Sequence, residues 1–150
     1  MNIIITLPIN LVADIAEGRK QVEIRKSIPK DFNTDNDIVW VKTKGYDKIA
    51  ICFEISHFEE ETDLKAVWQK YHAQLGINQL WWENYVRSTP KLAIWHIKQV
   101  HIFQPNLSFS EIFPDKTAPQ SYIYTYKGLI PTRHRTTKKD FRKTNAEIGR

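Results

Sequence analysis

Between Gly18 and Arg25 the chain reads G-R-K-Q-V-E-I-R, and no other stretch limits the fold as tightly. Upstream of it, Ile9, Val12, Ala13 and Ala16 recur at helical spacing. Gly18 then supplies the one residue type that readily takes a left-handed helix end. Directly afterwards the period changes: Val22, Ile24 and Ile28 flank Gln21, Glu23 and Arg25, so Glu23 and Arg25 project from one face of a strand. A helix must stop and a strand begin within a few residues, with Lys20, Glu23 and Arg25 crowded together at the junction.

The rest of the chain alternates in the same way. Ile3 to Thr6 is a β-branched run closed by Pro8, and Asp37 to Thr43 and Ile49 to Phe58 read as further strands. The loop between them carries Pro29, Asp31, Asn33, Thr34 and Asp35, and Gly45-Tyr46-Asp47 is a turn. Thr62-Asp63 can cap a helix with Leu64, Val67, Trp68 and Tyr71 on one stripe and Gly76 as its stop, and Asn78 can cap a second. Leu92 to Phe103 suits a central strand, a short helix can start at Ser108 or Ser110, and Tyr122 to Tyr126 suits a closing strand. The order predicted is β-α-β-β-β-α-α-β-α-β, without an internal repeat.

At 150 residues, 41% hydrophobic and with five tryptophans, the chain supports one domain with a substantial core. No apolar run approaches the roughly 20 residues of a membrane span, and the opening Met1 to Pro8 lacks the basic start of a secretory signal. One cysteine, Cys52, forms no internal disulfide, and cytoplasmic residence is the expectation. Charge is uneven. From Lys127 onward eight basic residues face two acidic ones, a net +6, which leaves the remainder at −1 of the total +5. Residues 127–150 therefore read as a basic C-terminal extension beyond a 1–126 domain. Contact with a polyanion and a solvated, partly disordered tail are the two readings of it.

Chemistry narrows mainly by exclusion. CxxC and HExxH are absent, and His57, His72, His96, His101 and His134 lack metal-ligand spacing, so no metal is expected. His96 and His101, five apart on one strand, read as structural or surface residues. Five glycines include no phosphate-cradling loop, and no cofactor is implied. Glu59-Glu60-Glu61 reads as negative charge leading into a helix, favoured by its dipole. Trp68, Trp81, Trp82 and Trp95 read first as core, with one or two free to stack on an unpaired base.

The sequence resembles the ASCH family of PUA-like domains, whose bacterial and archaeal branch opens with a strand ending in Pro, a helix and then G-x-K-x-x-E-x-R-K. Here those positions are Pro8, Gly18, Lys20, Glu23, Arg25 and Lys26. Pro29, the Ile38 to Thr43 strand, the Leu64 to Gly76 helix with Trp68, the Leu75-Gly76-Ile77 junction, Leu92 to Ile97 and the closing Ala118-Pro119-Gln120-Ser121 extend the likeness over about residues 3 to 126. The resemblance implies an α+β, PUA-like mixed and mostly antiparallel β-barrel flanked by short helices. It also implies a cleft for RNA or a nucleotide-like ligand. Gly18, Lys20, Glu23, Arg25, Gln120 and Ser121 would form that site, with Lys20 and Arg25 on phosphate or base oxygens and Glu23 orienting Arg25 or accepting from a base.

Some ASCH proteins are amidohydrolases of N4-acylated cytidine that use a Lys, a Thr and a Glu. Lys20 matches the lysine, but Glu23 stands three residues on, where the Thr belongs, so the hydroxyl nucleophile is missing at that position. If the chain were such a hydrolase, Lys20 and Glu23 would be its candidates, with Glu54 or Glu61 as the further carboxylate. RNA or nucleotide binding is thus the leading expectation. Hydrolysis and a regulatory protein-interaction domain with a vestigial pocket are the alternatives.

Overall fold

A computed structural model describes residues 1–129 and the backbone of 135–140. Its elements are β1 (Asn2–Leu7), α1 (Ile9–Ala16), β2 (Val22–Arg25), β3 (Ile38–Thr43), β4 (Ile49–Glu61), α2 (Leu64–Leu75), α3 (Gln79–Val86), β5 (Leu92–Leu107), α4 (Phe109–Ile112), β6 (Tyr122–Thr125) and β7 (Arg135–Asp140). The strands form one sheet ordered β2-β5-β4-β3-β1-β6, with β7 also paired to β5. β1 and β3 run parallel and the other pairings are antiparallel. The sheet curls into a half-barrel with short helices around it, the α+β, PUA-like arrangement expected. Among the described residues, no helix is long and apolar enough to cross a membrane.

Strand alternation builds the core. Ile3 and Ile5 of β1, Val39 and Val41 of β3 and Ile51, Phe53 and Ile55 of β4 point into the curl, where Trp95 and α1 residues Leu11, Val12 and Ile15 fill it. The intervening Ile4, Ile38, Trp40 and Cys52 face outward against Phe103, Leu107, Phe109 and Phe113. A third cluster packs Val22 and Ile24 of β2 on Val67, Tyr71 and Leu75 of α2 and Trp82 of α3. Fully burying each such side chain contributes about 1.5–3 kcal/mol before the entropy of ordering it is counted.

The helix ends follow their sequence signals. Asp63 accepts from Ala66 N, Asn78 from Trp81 N and Ser108 from Glu111 N, each filling the first-turn donors of its helix. Two segments differ from expectation. Glu59–Glu61 does not lead into the helix but continues β4, because Glu59, Glu60 and Glu61 pair with Ile94, Ala93 and Leu92 of β5. There Glu61 Oε1 accepts from Thr62 N and Asp63 N, while Glu59 holds Tyr71 and His96. The second is in the region expected as an extension. β5 is 16 residues long and β2 covers only Ala93 to His96 of its edge, so Gln99 to Gln104 remains open to pair with Arg135–Asp140. The expected character of residues 130–134 and 141–150 falls outside the described residues.

Gly76 ends α2 at φ +71°, and a Cβ there would come within 2.7 Å of Asp14 Oδ2 and 2.8 Å of Leu11 Cδ2. The backbone conformation disfavours any side chain, and the ends of Asp14 and Leu11 would have to shift to admit one. Gly76→Ala should lower stability by about 1–3 kcal/mol, read as a lower urea midpoint; an unchanged midpoint would mean the α1–α2 contact yields freely.

Candidate functional site

The helix-to-strand junction is positioned by backbone bonds. Gly18, at φ +83°, donates to Ile15 O, and Arg19 N and Lys20 N both donate to Asp14 O, which turns the chain sharply out of α1. Lys20 is thereby directed inward and is buried, an unusual fate for a lysine. Its Nζ donates to Leu75 O at 3.1 Å and lies 3.7 Å from Glu23 Oε1. Leu75 is the last residue of α2, so this bond also occupies a helix-end carbonyl.

Glu23 and Arg25 share one face of β2, as the alternation requires, opposite the face that Val22 and Ile24 turn to α2. Glu23 Oε1 accepts from Ile24 N at 3.0 Å. Its Oε2 lies 3.7 Å from Arg25 Nη2, yet finds no hydrogen-bond partner among the described residues. Arg25 donates instead to Ser121 O at 3.2 Å and lies over the Trp95 ring at 5.8 Å. Leaving a buried carboxylate oxygen without a donor costs about 1–3 kcal/mol. Burial lowers the Lys20 amine below the usual lysine range, an effect that the Glu23 charge partly offsets.

These groups open onto a cleft of about 940 Å³. Lys20, Glu23 and Arg25 line it with Gln120 and Ser121, so the motif and the distant A-P-Q-S segment meet at one cleft. Gly18 shapes the junction but does not line the cleft. Several lining residues escaped the sequence reading of the site. Lys44 arrives because the parallel pairing of β1 and β3 brings both strand ends to one edge, where Lys44 N donates to Leu7 O at 2.8 Å. Trp81 and Tyr85 arrive from α3, stacked with centroids 4.8 Å apart, and Lys26 lies 5.2 Å above Tyr85. Trp81 is 49% exposed, whereas Trp82, Trp95 and Trp40 are buried and Trp68 is half-buried and stacked on Trp82, so Trp81 is the indole that offers a face at the cleft beyond its contact with Tyr85. Burial raises the Tyr85 hydroxyl, which remains a neutral donor near pH 7. Thr6 Oγ1, also on the lining, is buried and unpartnered among the described residues.

The histidines lie elsewhere. His96 Nε2 and Glu59 Oε1 are 2.7 Å apart, and the ring stacks on His57 at 4.1 Å. Burial holds His96 below the ordinary histidine range, so near neutral pH its ring is uncharged. His101 is buried against Glu54 at 2.7 Å. Among the described residues, no group of three or more His, Cys, Asp or Glu side chains is arranged to hold a metal ion.

The depressed Lys20 value has a readable consequence. Between it and the ordinary 10.5 of lysine, the unfolded chain binds more protons than the folded one, so raising pH through that window stabilises the fold. A Lys20→Met variant lacks this contribution. The urea midpoint of the native protein minus that of the variant should therefore grow as pH rises toward the ordinary lysine value of 10.5; a flat difference would contradict the buried amine.

No family model matches the sequence, and no curated protein matches it significantly. Solved structures do. The ASCH protein of Zymomonas mobilis aligns with 84% of this chain and 88% of its own at a TM-score of 0.72 and 18% identity. A serine-to-alanine variant of the Zymomonas mobilis protein aligns with 98% of this chain and 95% of its own, with a TM-score of 0.73 and 14% identity. A tyrosine-to-phenylalanine variant gives a TM-score of 0.72 over 84% of this chain and 91% of its own, at 18% identity. The fold of this chain is that of the ASCH domain, within the PUA-like class.

Proposed function

We propose that this protein binds RNA or a nucleotide-like ligand in the cleft, acting in the cytoplasm. The observation that carries the reading is the composition of one wall-to-wall lining. Four cationic side chains, Lys20, Arg25, Lys26 and Lys44, face a single carboxylate, Glu23, beside the stacked pair Trp81 and Tyr85. Cationic excess suits a phosphate, an exposed indole suits the face of a base, and hydrogen-bonding groups at depth suit a base edge. Gln120 and Ser121 complete the rim, with Ser121 O already engaged by Arg25. The basic residues beyond Lys127 would extend phosphate contact along a longer strand.

Calorimetry should detect nucleoside monophosphates and, more tightly, single-stranded RNA, with RNA affinity falling steeply as salt rises. Arg25→Ala and Lys44→Ala should each weaken binding roughly tenfold while the protein stays folded. Unchanged affinity in both variants would sink the cleft as the binding site.

One observation favours a second reading, hydrolysis of an N4-acylated cytidine. Lys20 has its amine shifted toward the neutral form at the cleft, as a general base requires. Against it stands Glu23 in place of a nucleophilic hydroxyl. Incubation with N4-acetylcytidine decides: acetate release that Lys20→Met abolishes supports hydrolysis, and intact substrate excludes it.

A further inference from the structure

Three buried side-chain polar atoms lack a partner among the described residues: Thr6 Oγ1, Glu23 Oε2 and His101 Nδ1. Thr6 and Glu23 are both lining residues of the same cleft. Their environments fix what each can offer. Glu23 Oε1 is taken by Ile24 N, which orients the carboxylate and leaves Oε2 as the free acceptor. Its cationic neighbours stop short of it: Lys20 Nζ donates to Leu75 O and Arg25 Nη1 to Ser121 O, while Arg25 Nη2 stays 3.7 Å from Oε2, an ion-pair distance beyond a hydrogen bond. The side chain of Glu23 is only 7% exposed, and a hydrogen-bond donor brought in by an occupant of the cleft would satisfy Oε2.

We infer that the cleft selects nucleobases carrying an exocyclic amine over those carrying only ring imide or lactam N–H groups. The inference rests on the nucleotide-binding reading above. An amine of adenine, cytosine or guanine donates to Glu23 Oε2, and the adjacent ring nitrogen meets the Thr6 hydroxyl, which serves as donor or acceptor as needed. Uracil offers one N–H between two carbonyl oxygens, and hypoxanthine one N–H beside a carbonyl. Turning uracil's edge toward Glu23 sets carbonyl oxygen against carboxylate, where like partial charges repel, and hypoxanthine lacks the second donor that the 2-amine gives guanine. Arg25, Lys26 and Lys44 line the remainder of the cleft for the phosphate.

The test is calorimetry with AMP, CMP, GMP, UMP and IMP. GMP and IMP differ only in the 2-amino group and form the cleanest pair. The three amino-bearing nucleotides should bind about tenfold or more tightly than UMP and IMP. In Glu23→Gln, the side-chain oxygen keeps the Ile24 bond and an amide N–H₂ replaces Oε2. The acceptor becomes a donor, and UMP should then bind more tightly than CMP. Thr6→Val, close in shape, should weaken the amino-bearing nucleotides about fivefold without lowering the melting temperature, because it removes an unpartnered hydroxyl. Equal affinity for all five nucleotides overturns the selectivity while leaving a nucleotide site. Binding of none overturns both readings. Should Glu23→Gln fail to fold, the native panel and Thr6→Val still decide. Native binding of IMP equal to that of GMP, or Thr6→Val binding CMP as the native protein does, counts against the assignment.

Discussion

A curled sheet that does not close has two edges to satisfy, and this architecture is organised around that constraint. β2 and β6 end the strand order, and no ladder joins them among the described residues. Side chains bridge the seam instead: Arg25 donates to Ser121 O, the hydroxyls of Ser27 and Tyr122 meet at 3.4 Å, and Asp31 N donates to Tyr124 Oη. Unpaired strand edges invite pairing with other chains, and a covered or charged edge resists it. The same lack of a ladder leaves room for a cleft. Elsewhere both faces of β1, β3 and β4 are occupied by apolar side chains, so the seam is where polar chemistry can gather.

Lys20 and Glu23 illustrate the cost of that concentration. Both are almost fully buried, and neither is fully satisfied by the other at 3.7 Å. Buried charge pairs seldom improve stability over well-packed apolar residues, because desolvation consumes the Coulombic gain. A fold that keeps such a pair, with one carboxylate oxygen unbonded, holds hydrogen-bonding capacity in reserve at the cleft rather than spending it on itself.

Much of this was legible in the residues. Alternation around Val22 and Ile24 assigned Glu23 and Arg25 to one face, capping signals at Asp63, Asn78 and Ser108 set three helix starts, and Gly76 marked a helix end. What escaped depended on partners distant in sequence. Glu59 to Glu61 looks like a helix approach until Leu92 to Ile94 supplies a ladder, which overrides the weak strand preference of glutamate. Lys44 and Thr6 reach the cleft through the parallel register of β1 and β3, and Trp81 through the position of α3; none of these can be read from local spacing. The unbonded state of Thr6 Oγ1 and Glu23 Oε2 is likewise a property of the packed molecule alone.

The pairing of β1 with β6 carries a temporal meaning. Asn2 to Ile5 meets Thr125 to Tyr122 across more than a hundred residues, and both Asn2 Nδ2 and Trp40 Nε1 donate to Lys127 O. During synthesis the ribosome releases β1 first, and β3 and β4 soon after, but the outer edge of β1 must wait until Lys127 has emerged. Long-range closure of this kind is slow and leaves an apolar strand uncovered in the interim. The nascent chain is therefore most open to misassociation over the interval in which α2, α3 and β5 are being made, and the arrival of a four-residue strand ends it.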